Sequence, residues 1–178
     1  MEFSTVYLVD IIADVVEKTR QQLATDRLFN NIQVPYYFFD TVSKFKETIL
    51  SMDKTDSKFN KYPLVFLELP FQENYTVDRP VIYEASINLY ILNRTSLEIN
   101  ATRRYDDVFK PVLYPIFEQF INQLRLSNSF AFDDMRKTLS FNKTDVMYWG
   151  EGSKNLGNDI VDCIEISNLK LKVIKNCT

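Results

Sequence analysis

The sequence contains no histidine, and this absence restricts the chemistry that the chain can perform. Histidine is the usual general base, the usual partner of a nucleophilic serine or cysteine, and the commonest zinc ligand. Without it, the only two cysteines, Cys163 and Cys177, cannot complete an ordinary structural zinc site. Catalysis by carboxylates alone is still chemically open, but the sequence offers no pair of acids at a spacing that would build such a site. The missing histidine therefore weakens the interpretation as an enzyme without excluding it.

The sequence also has few glycines, a small net charge and no long apolar run. All three glycines lie between Gly150 and Gly157, so the chain has no Gly-rich loop of the kind that cradles phosphates. The 21 basic and 24 acidic side chains leave a net charge of −3, which provides no chain-wide positive field for nucleic acid. No apolar run approaches the ~20 residues of a membrane-spanning helix, and we expect no membrane association.

What the sequence does contain is typical of one globular domain. Its 178 residues fit a single domain over 1–178, and 46% hydrophobic residues can build a substantial core.

Hydrophobic periodicity predicts two helices and a strand in the first third of the chain. Apolar residues recur at helical spacing from Val9 to Leu23 and again from Val42 to Met52. The β-branched and aromatic run 32–40 between them predicts a strand. Pro35 cannot donate to a ladder, so this strand should lie at a sheet edge or begin after the proline. Asp40 or Thr41 can cap the second helix.

The middle of the chain predicts an antiparallel hairpin. The apolar run Tyr62–Leu69 is typical of a strand that is covered on both faces, and 72–80 reads as a polar turn region. From Val81 to Leu92 every odd position is apolar, which predicts one buried face and one largely polar face.

A wide apolar stripe from Tyr105 to Leu124 predicts a long helix that two prolines interrupt. Pro111 and Pro115 each lack an amide donor and crowd the carbonyl four residues earlier. We favour one helix with a kink at Pro111 over a short helix followed by a second one that starts there.

The last segment predicts a strand with a fault in its alternation. Ile160, Ile164 and Ile166 share one parity, whereas Leu169 and Leu171 share the other. A β-bulge near residues 167–168 would restore a single buried face. The order of elements gives an α+β fold with an antiparallel or mixed β-sheet and amphipathic helices packed on one face.

Two features could carry a function, and each has a structural alternative. Glu84 and Asn88 on the polar side of strand 81–92 suit a carboxylate site or a partner-binding face, or simply a solvated sheet face. Trp149, the only tryptophan, could anchor a partner or cap the core under the glycine-containing loop, and neither interpretation is favoured. The basic pair Arg103–Arg104 is too short to indicate a phosphate site.

The layout resembles the tail-terminator, or tail-completion, proteins of bacteriophages, of the kind seen in phages of Bacteroidetes. The resemblance covers most of the chain through its order of elements. The segments that carry it are an N-terminal amphipathic helix, the aromatic strand 36–39, the strands YPLVFLEL (62–69) and 81–92, the helix YDDVFKPVLYPIFEQF (105–120), the YWG loop (148–150) and the strand IVDCIEISNLKLKV (160–173).

The resemblance implies a structural virion protein that forms a homo-oligomeric ring in the phage tail or at the head–tail neck. Such a protein is not an enzyme, and it would have no catalytic residues, no metal ion and no cofactor. Six copies are favoured and twelve are possible. Neighbouring neck or tail proteins would be the partners, DNA would pass through the lumen without sequence-specific binding, and assembly would take place in the cytoplasm of the host bacterium. A ring adaptor of a short-tailed phage with twelvefold symmetry and a non-viral monomeric binding module are the alternatives.

A ring of identical subunits needs two different complementary patches on each copy. We place one patch on the polar side of strand 81–92 and its turn, and the other at the tryptophan loop. The candidate assembly residues are Glu73, Asn74, Tyr75, Asp78, Arg79, Glu84, Asn88 and Trp149.

Overall fold

A computed structural model describes residues 7–25, 34–54, 61–76, 81–149 and 159–175. These ranges contain helices and strands in nearly equal amounts. In chain order they are α1 (Leu8–Thr25), β1 (Tyr36–Asp40), α2 (Val42–Lys54), β2 (Leu64–Glu68), β3 (Gln72–Thr76), β4 (Val81–Arg94), α3 (Ala101–Arg104), a π-helix (Tyr105–Leu113), α4 (Tyr114–Leu126), β5 (Phe130–Ala131), β6 (Ser140–Trp149) and β7 (Val161–Lys175).

The first half of the chain follows its periodicity closely. Helix α1 buries its apolar stripe, with Ile12 and Val15 fully inaccessible, as predicted. Strand β1 begins directly after Pro35 and lies at an edge of the sheet, which satisfies both expectations for that proline. The Thr41 hydroxyl caps α2 by accepting a hydrogen bond from the Lys44 N–H at 3.4 Å.

The predicted antiparallel pairing of β2 and β4 is confirmed, with Leu64 opposite Leu92. The side chains of β2 are buried on both faces, also as expected. The prediction of a polar turn over 72–80 is wrong for its first half. Residues Gln72–Thr76 form β3, which pairs with β4 from Ser86 to Ile82. The strand forms because its backbone completes the ladder of β4, and this requires no apolar side chains.

The longest strand, β7, contains the predicted bulge. Ile87 of β4 lies opposite Leu169, and Leu89 lies opposite Ile166, so two residues of β7 face one residue of β4. The extra residue is accommodated at Asn168, whose φ of 54° is in the left-handed region that asparagine tolerates. The bulge keeps the apolar side chains on both halves of β7 on the same face of the sheet.

The predicted kink at Pro111 is replaced by a change of helix type. Helix α3, the π-helix and α4 form one continuous helical run, and Pro111 lies inside the π-helical part. Backbone angles remain helical at the junctions, at Arg104 and at Tyr114, so a new helix does not begin at Pro111. The wider π-helical turn suits a residue that cannot donate a main-chain hydrogen bond. Pro115 falls in the first turn of α4, directly after the change from π- to α-helical turns.

The α+β class and the mixed sheet are confirmed. The strand order is β1-β2-β4-β7-β5, with β3 beside β4 and β6 beside β7, and among the described strands only β1 and β2 are parallel. Helix α1, the π-helix and α4 cover one face and form the main core. Helix α2 does not share that face. Phe45 of α2 stacks on Phe66 of β2, whereas the adjacent residue Val65 faces the main core.

Candidate interaction surface

The sheet face that carries α2 is divided into two halves of opposite character. Under α2 lies an aromatic cluster in which the Phe45 and Phe66 rings stack with centroids 4.1 Å apart. Tyr90 and Trp149 close this cluster on the far side, with ring centroids 5.2 Å apart. Every one of these side chains is buried, so this half of the face is a second hydrophobic core.

The other half of the same face is polar, and no helix of the described residues covers it. Glu84 and Ser86 of β4 are exposed there, and their neighbours across the ladder are Lys172 and Lys170 of β7. The predicted alternation of β4 is therefore confirmed at these positions. We call this region the polar half-face and define it by Asn74, Glu84, Ser86, Lys170 and Lys172.

Charges of both signs are interleaved on the polar half-face. The Lys172 ammonium lies 2.7 Å from a carboxylate oxygen of Asp133 and 3.6 Å from one of Glu84. The hydrogen bond to Asp133 raises the pKa of Lys172 above its ordinary value. The surface therefore has little local charge of one sign, and this pattern suits a protein partner better than a polyanion.

A cleft of about 390 Å³ opens at the outer end of the polar half-face. Its floor is formed by β4 and β7, and its walls come from the segment between β5 and β6. Phe130 and Phe132 contribute apolar surface, whereas Asp133 and Lys172 contribute the charged groups. The cleft is large enough for a side chain or a short peptide segment.

A hydrogen-bonded network marks the boundary between the two halves. The Asn88 side chain donates to a carboxylate oxygen of Glu68 at 3.2 Å, and the Tyr90 hydroxyl donates to the same oxygen at 2.6 Å. The Asn88 carboxamide oxygen accepts from the Asn168 N–H at 3.2 Å, which ties β4 to the bulge. Burial, followed by the hydrogen bond to Glu68, raises the pKa of Tyr90 well above its ordinary value.

The candidate assembly residues from β3 and β4 lie on two faces of the sheet. Asn74 and Glu84 belong to the polar half-face, and Asn88 belongs to the boundary network. Glu73 and Tyr75 point to the opposite, helix-covered face. There the Tyr75 ring stacks on Tyr83 and its hydroxyl donates to Glu73 at 2.7 Å.

Of the remaining three candidates, the structure describes only one. Asp78 and Arg79 lie outside the described residues. Trp149 is only 4% exposed and packs in the aromatic cluster, which favours the interpretation as a core residue over that as a surface anchor. Phe45 of α2 packs against the Trp149 ring on this face, and no local pattern in the sequence indicates which face α2 covers.

Sequence reasoning missed a buried ion pair. Arg104 and Asp162 are both fully inaccessible, and the Arg104 guanidinium donates to Asp162 and to two backbone carbonyls in 96–99. The Tyr148 ring packs 3.6 Å from the guanidinium carbon. One signal was available, because Arg104 lies one helical turn before Val108 on the apolar stripe. These contacts hold the loop before α3 against β7.

The described residues contain no group of three or more histidine, cysteine, aspartate or glutamate side chains that could hold a metal ion. None of the helices in the described ranges combines the length and hydrophobicity that a membrane crossing requires. In comparisons with known proteins, no family model and no curated protein matches the chain.

Proposed function

We propose that this chain is a structural virion protein that assembles into a homo-oligomeric ring in a phage tail or at the head–tail neck. Six copies are favoured, and twelve copies correspond to a ring adaptor of a short-tailed phage. The partners are further copies of the chain and neighbouring tail or neck proteins, and DNA crosses the lumen without sequence-specific contacts. The proposal includes no catalytic role.

The observation that carries the proposal is the asymmetry of the sheet. On one side of β4 the sheet ends at β3 along one half of the strand and at β1, beyond β2, along the other half, whereas beyond β7 it ends at β6 and β5. Among the described residues, nothing pairs with the outer side of β3 or of β6. The two sides of the sheet thus end in different strands, which suits the two different patches that head-to-tail contacts in a closed ring use.

The composition supports the same function. A ring that surrounds DNA without gripping it needs no excess of positive charge, and the chain has a net charge of −3. The polar half-face, with its interleaved lysines and carboxylates, is the kind of solvated surface that can line a lumen or meet a neighbouring ring.

Native mass spectrometry over a concentration series tests the proposal. We expect a six- or twelvefold species whose fraction rises with concentration, and negative-stain images of the same sample should contain closed rings. A tight twofold dimer contradicts the proposal, since twofold contacts use the same patch on both copies.

The cleft favours a second candidate function, a monomeric binding module. Like small-molecule binding sites in general, the cleft combines apolar walls with a small number of charged groups. This function predicts a monomer at every concentration and a Lys172→Ala variant that folds normally but loses its ligand.

A further inference from the structure

We infer that the cleft at the outer end of the polar half-face binds a monocarboxylate whose carboxylate is carried by an apolar group. Every residue of the site belongs to one copy of the chain, so the inference goes beyond the proposed ring and does not depend on it. It also names the class of ligand that the second candidate function requires.

Lys170 provides the charge that attracts the carboxylate. It lines the cleft, and its side chain is exposed. The other lysine of the cleft, Lys172, is already engaged by Asp133 at 2.7 Å and by Glu84 at 3.6 Å. Within the described ranges, no hydrogen bond or ion pair engages the Lys170 ammonium. Its three N–H donors are therefore available to a ligand, and carboxylate oxygens are strong acceptors for them.

Two serines flank Lys170 in the sheet. Ser86 of β4 lies directly opposite Lys170 on one side, and Ser140 of β6 lies directly opposite it on the other side. Residues that lie opposite each other in an antiparallel ladder share a face, with Cβ atoms about 4.5–5.5 Å apart. All three side chains are exposed and line the cleft. They form a row of an ammonium between two hydroxyls, and each member of the row can donate to a carboxylate oxygen.

The walls of the cleft provide a surface for the apolar group. Phe132 and Leu139 lie near the two ends of the segment between β5 and β6, and both line the cleft. Both side chains also pack against the main core, which holds them in place. The cleft volume of about 390 Å³ falls within the range of small-molecule sites. A carboxylate at Lys170 therefore has apolar protein surface in the same cleft for the group that carries it.

The remaining charges of the cleft favour a ligand with one negative charge over a ligand with two. Glu84 and Asp133 line the cleft together with Lys170 and Lys172, so its two carboxylates balance its two ammonium groups. A second negative charge on the ligand would meet these carboxylates without a further cation, and like charges placed side by side repel. The cleft should therefore discriminate against phosphate esters, which carry nearly two negative charges at neutral pH.

An NMR titration with phenylacetate tests the inference, because this probe joins one carboxylate to one aryl group. In two-dimensional amide spectra we expect saturable shifts with a dissociation constant in the millimolar range or tighter. The shifted resonances should belong to the parts of β4, β6 and β7 that surround Lys170. Saturable shifts that lie elsewhere, or none at all, would overturn the inference.

Three related compounds separate the contributions of the two parts of the ligand. Phenylacetamide lacks the charge and acetate lacks the aryl group, so each should bind about tenfold more weakly than phenylacetate or worse. Phenyl phosphate should also bind more weakly, because of Glu84 and Asp133. Equal affinities for phenylacetate and phenylacetamide would contradict the role of Lys170.

A charge-matched pair of variants locates the site. Lys170→Met removes the ammonium and keeps an unbranched apolar side chain, and it should weaken phenylacetate binding by about tenfold or more. Lys110→Met removes the same charge from an exposed position on the π-helix, outside the cleft, and should bind phenylacetate as the unmodified protein does. Both variants should retain the circular dichroism spectrum and the urea midpoint of the unmodified protein. Equal weakening in the two variants would attribute the effect to net charge and would overturn the site.

Native mass spectrometry of the unmodified protein separates this inference from the proposed function. A six- or twelvefold species that does not bind phenylacetate overturns the ligand site and leaves the ring in place. Phenylacetate binding by such a species supports both, and phenylacetate binding by a protein that stays monomeric supports the ligand site and the binding module against the ring.

Discussion

Arg104 and Asp162 form an ion pair in which both side chains are fully buried, with 2.5 Å between Arg104 Nη1 and Asp162 Oδ1. Asp162 Oδ1 also accepts a hydrogen bond from the Tyr148 N–H at 3.2 Å. One carboxylate thus connects α3, β6 and β7. Removing one partner of a buried pair is costly because the other charge is left without compensation.

We therefore expect Asp162→Ala to lower the free energy of unfolding by roughly 3–5 kcal/mol. Urea denaturation followed by tryptophan fluorescence measures this loss. Asp107→Ala is the matched control. Asp107 pairs with Arg103 at 3.6 Å on an exposed helix surface, and its removal should cost about 0.5 kcal/mol or less. Equal losses for the two variants would argue against the buried pair.

Leu89→Ala should destabilise the protein by roughly 2–5 kcal/mol, because Leu89 is fully buried in the main core and its removal leaves a cavity. Ser86→Ala, three residues earlier on the exposed polar half-face, should change the free energy of unfolding by about 0.5 kcal/mol or less. Thermal and urea denaturation of both variants test the alternation of β4. Equal losses of stability for the two variants would mean that β4 is buried on both faces between residues 86 and 89.

Asn88→Ala should lower the free energy of unfolding by more than an alanine substitution at an exposed position does. Asn88 bonds both Glu68 and the Asn168 N–H, so we expect a loss of about 1–2 kcal/mol. Ser86→Ala again serves as the reference. A loss no larger than that of Ser86→Ala would show that the bulge is stable without its side-chain bond.

The bulge makes a separate prediction at Asn168. Its φ of 54° is accessible to glycine and strained for β-branched residues. Asn168→Gly should therefore preserve stability to within about 0.5 kcal/mol, whereas Asn168→Val should lose roughly 1–2 kcal/mol. Chemical denaturation of the two variants side by side makes the comparison. A valine variant as stable as the glycine variant would contradict the left-handed conformation.

Alkaline pH should unfold the protein through its buried tyrosines. Burial raises the pKa of Tyr37, Tyr83, Tyr90 and Tyr114 well above the ordinary value. The unfolded chain deprotonates these groups near pH 10, whereas the folded chain holds the protons. The stability they provide is thus present below about pH 10 and is lost as the pH rises above it.

Absorbance of tyrosinate near 295 nm follows this transition. We expect part of the tyrosine signal to appear only together with the loss of far-UV circular dichroism. Tyr90→Phe removes one titrating hydroxyl and also the hydrogen bond to Glu68. The stability lost with that bond is measured at neutral pH. Once this loss is subtracted, the variant should unfold at a higher pH than the unmodified protein. Full titration of all tyrosines before any unfolding would contradict the buried environment.

Much of the fold followed from local patterns. The helical spacing in α1, the position of Pro35 before β1, the alternation of β4 and the parity fault in β7 each require only a short stretch of sequence. They succeed because one face of each element meets a single core. The bulge was predictable for the same reason, since a parity fault in a buried strand has few other solutions.

What the sequence did not reveal depends on contacts between distant segments. Strand β3 has no apolar pattern because its backbone, and not its side chains, completes the sheet. The apolar stripe of α2 indicates that Phe45 is buried but not which sheet face it meets, and this choice decided the position of Trp149. The Arg104–Asp162 pair likewise joins residues that lie far apart in the chain.

The bulge at residues 167–168 changes which alternate positions of β7 face the main core. Upstream of it, the main core receives Ile164 and Ile166; downstream, it receives Leu169 and Leu171. Loss of a single residue at this point would turn Lys170 and Lys172 toward the helices and leave the leucines in solvent. Chain length is therefore constrained at this point more tightly than amino-acid identity, since a substitution changes one side chain and a deletion reverses half a strand.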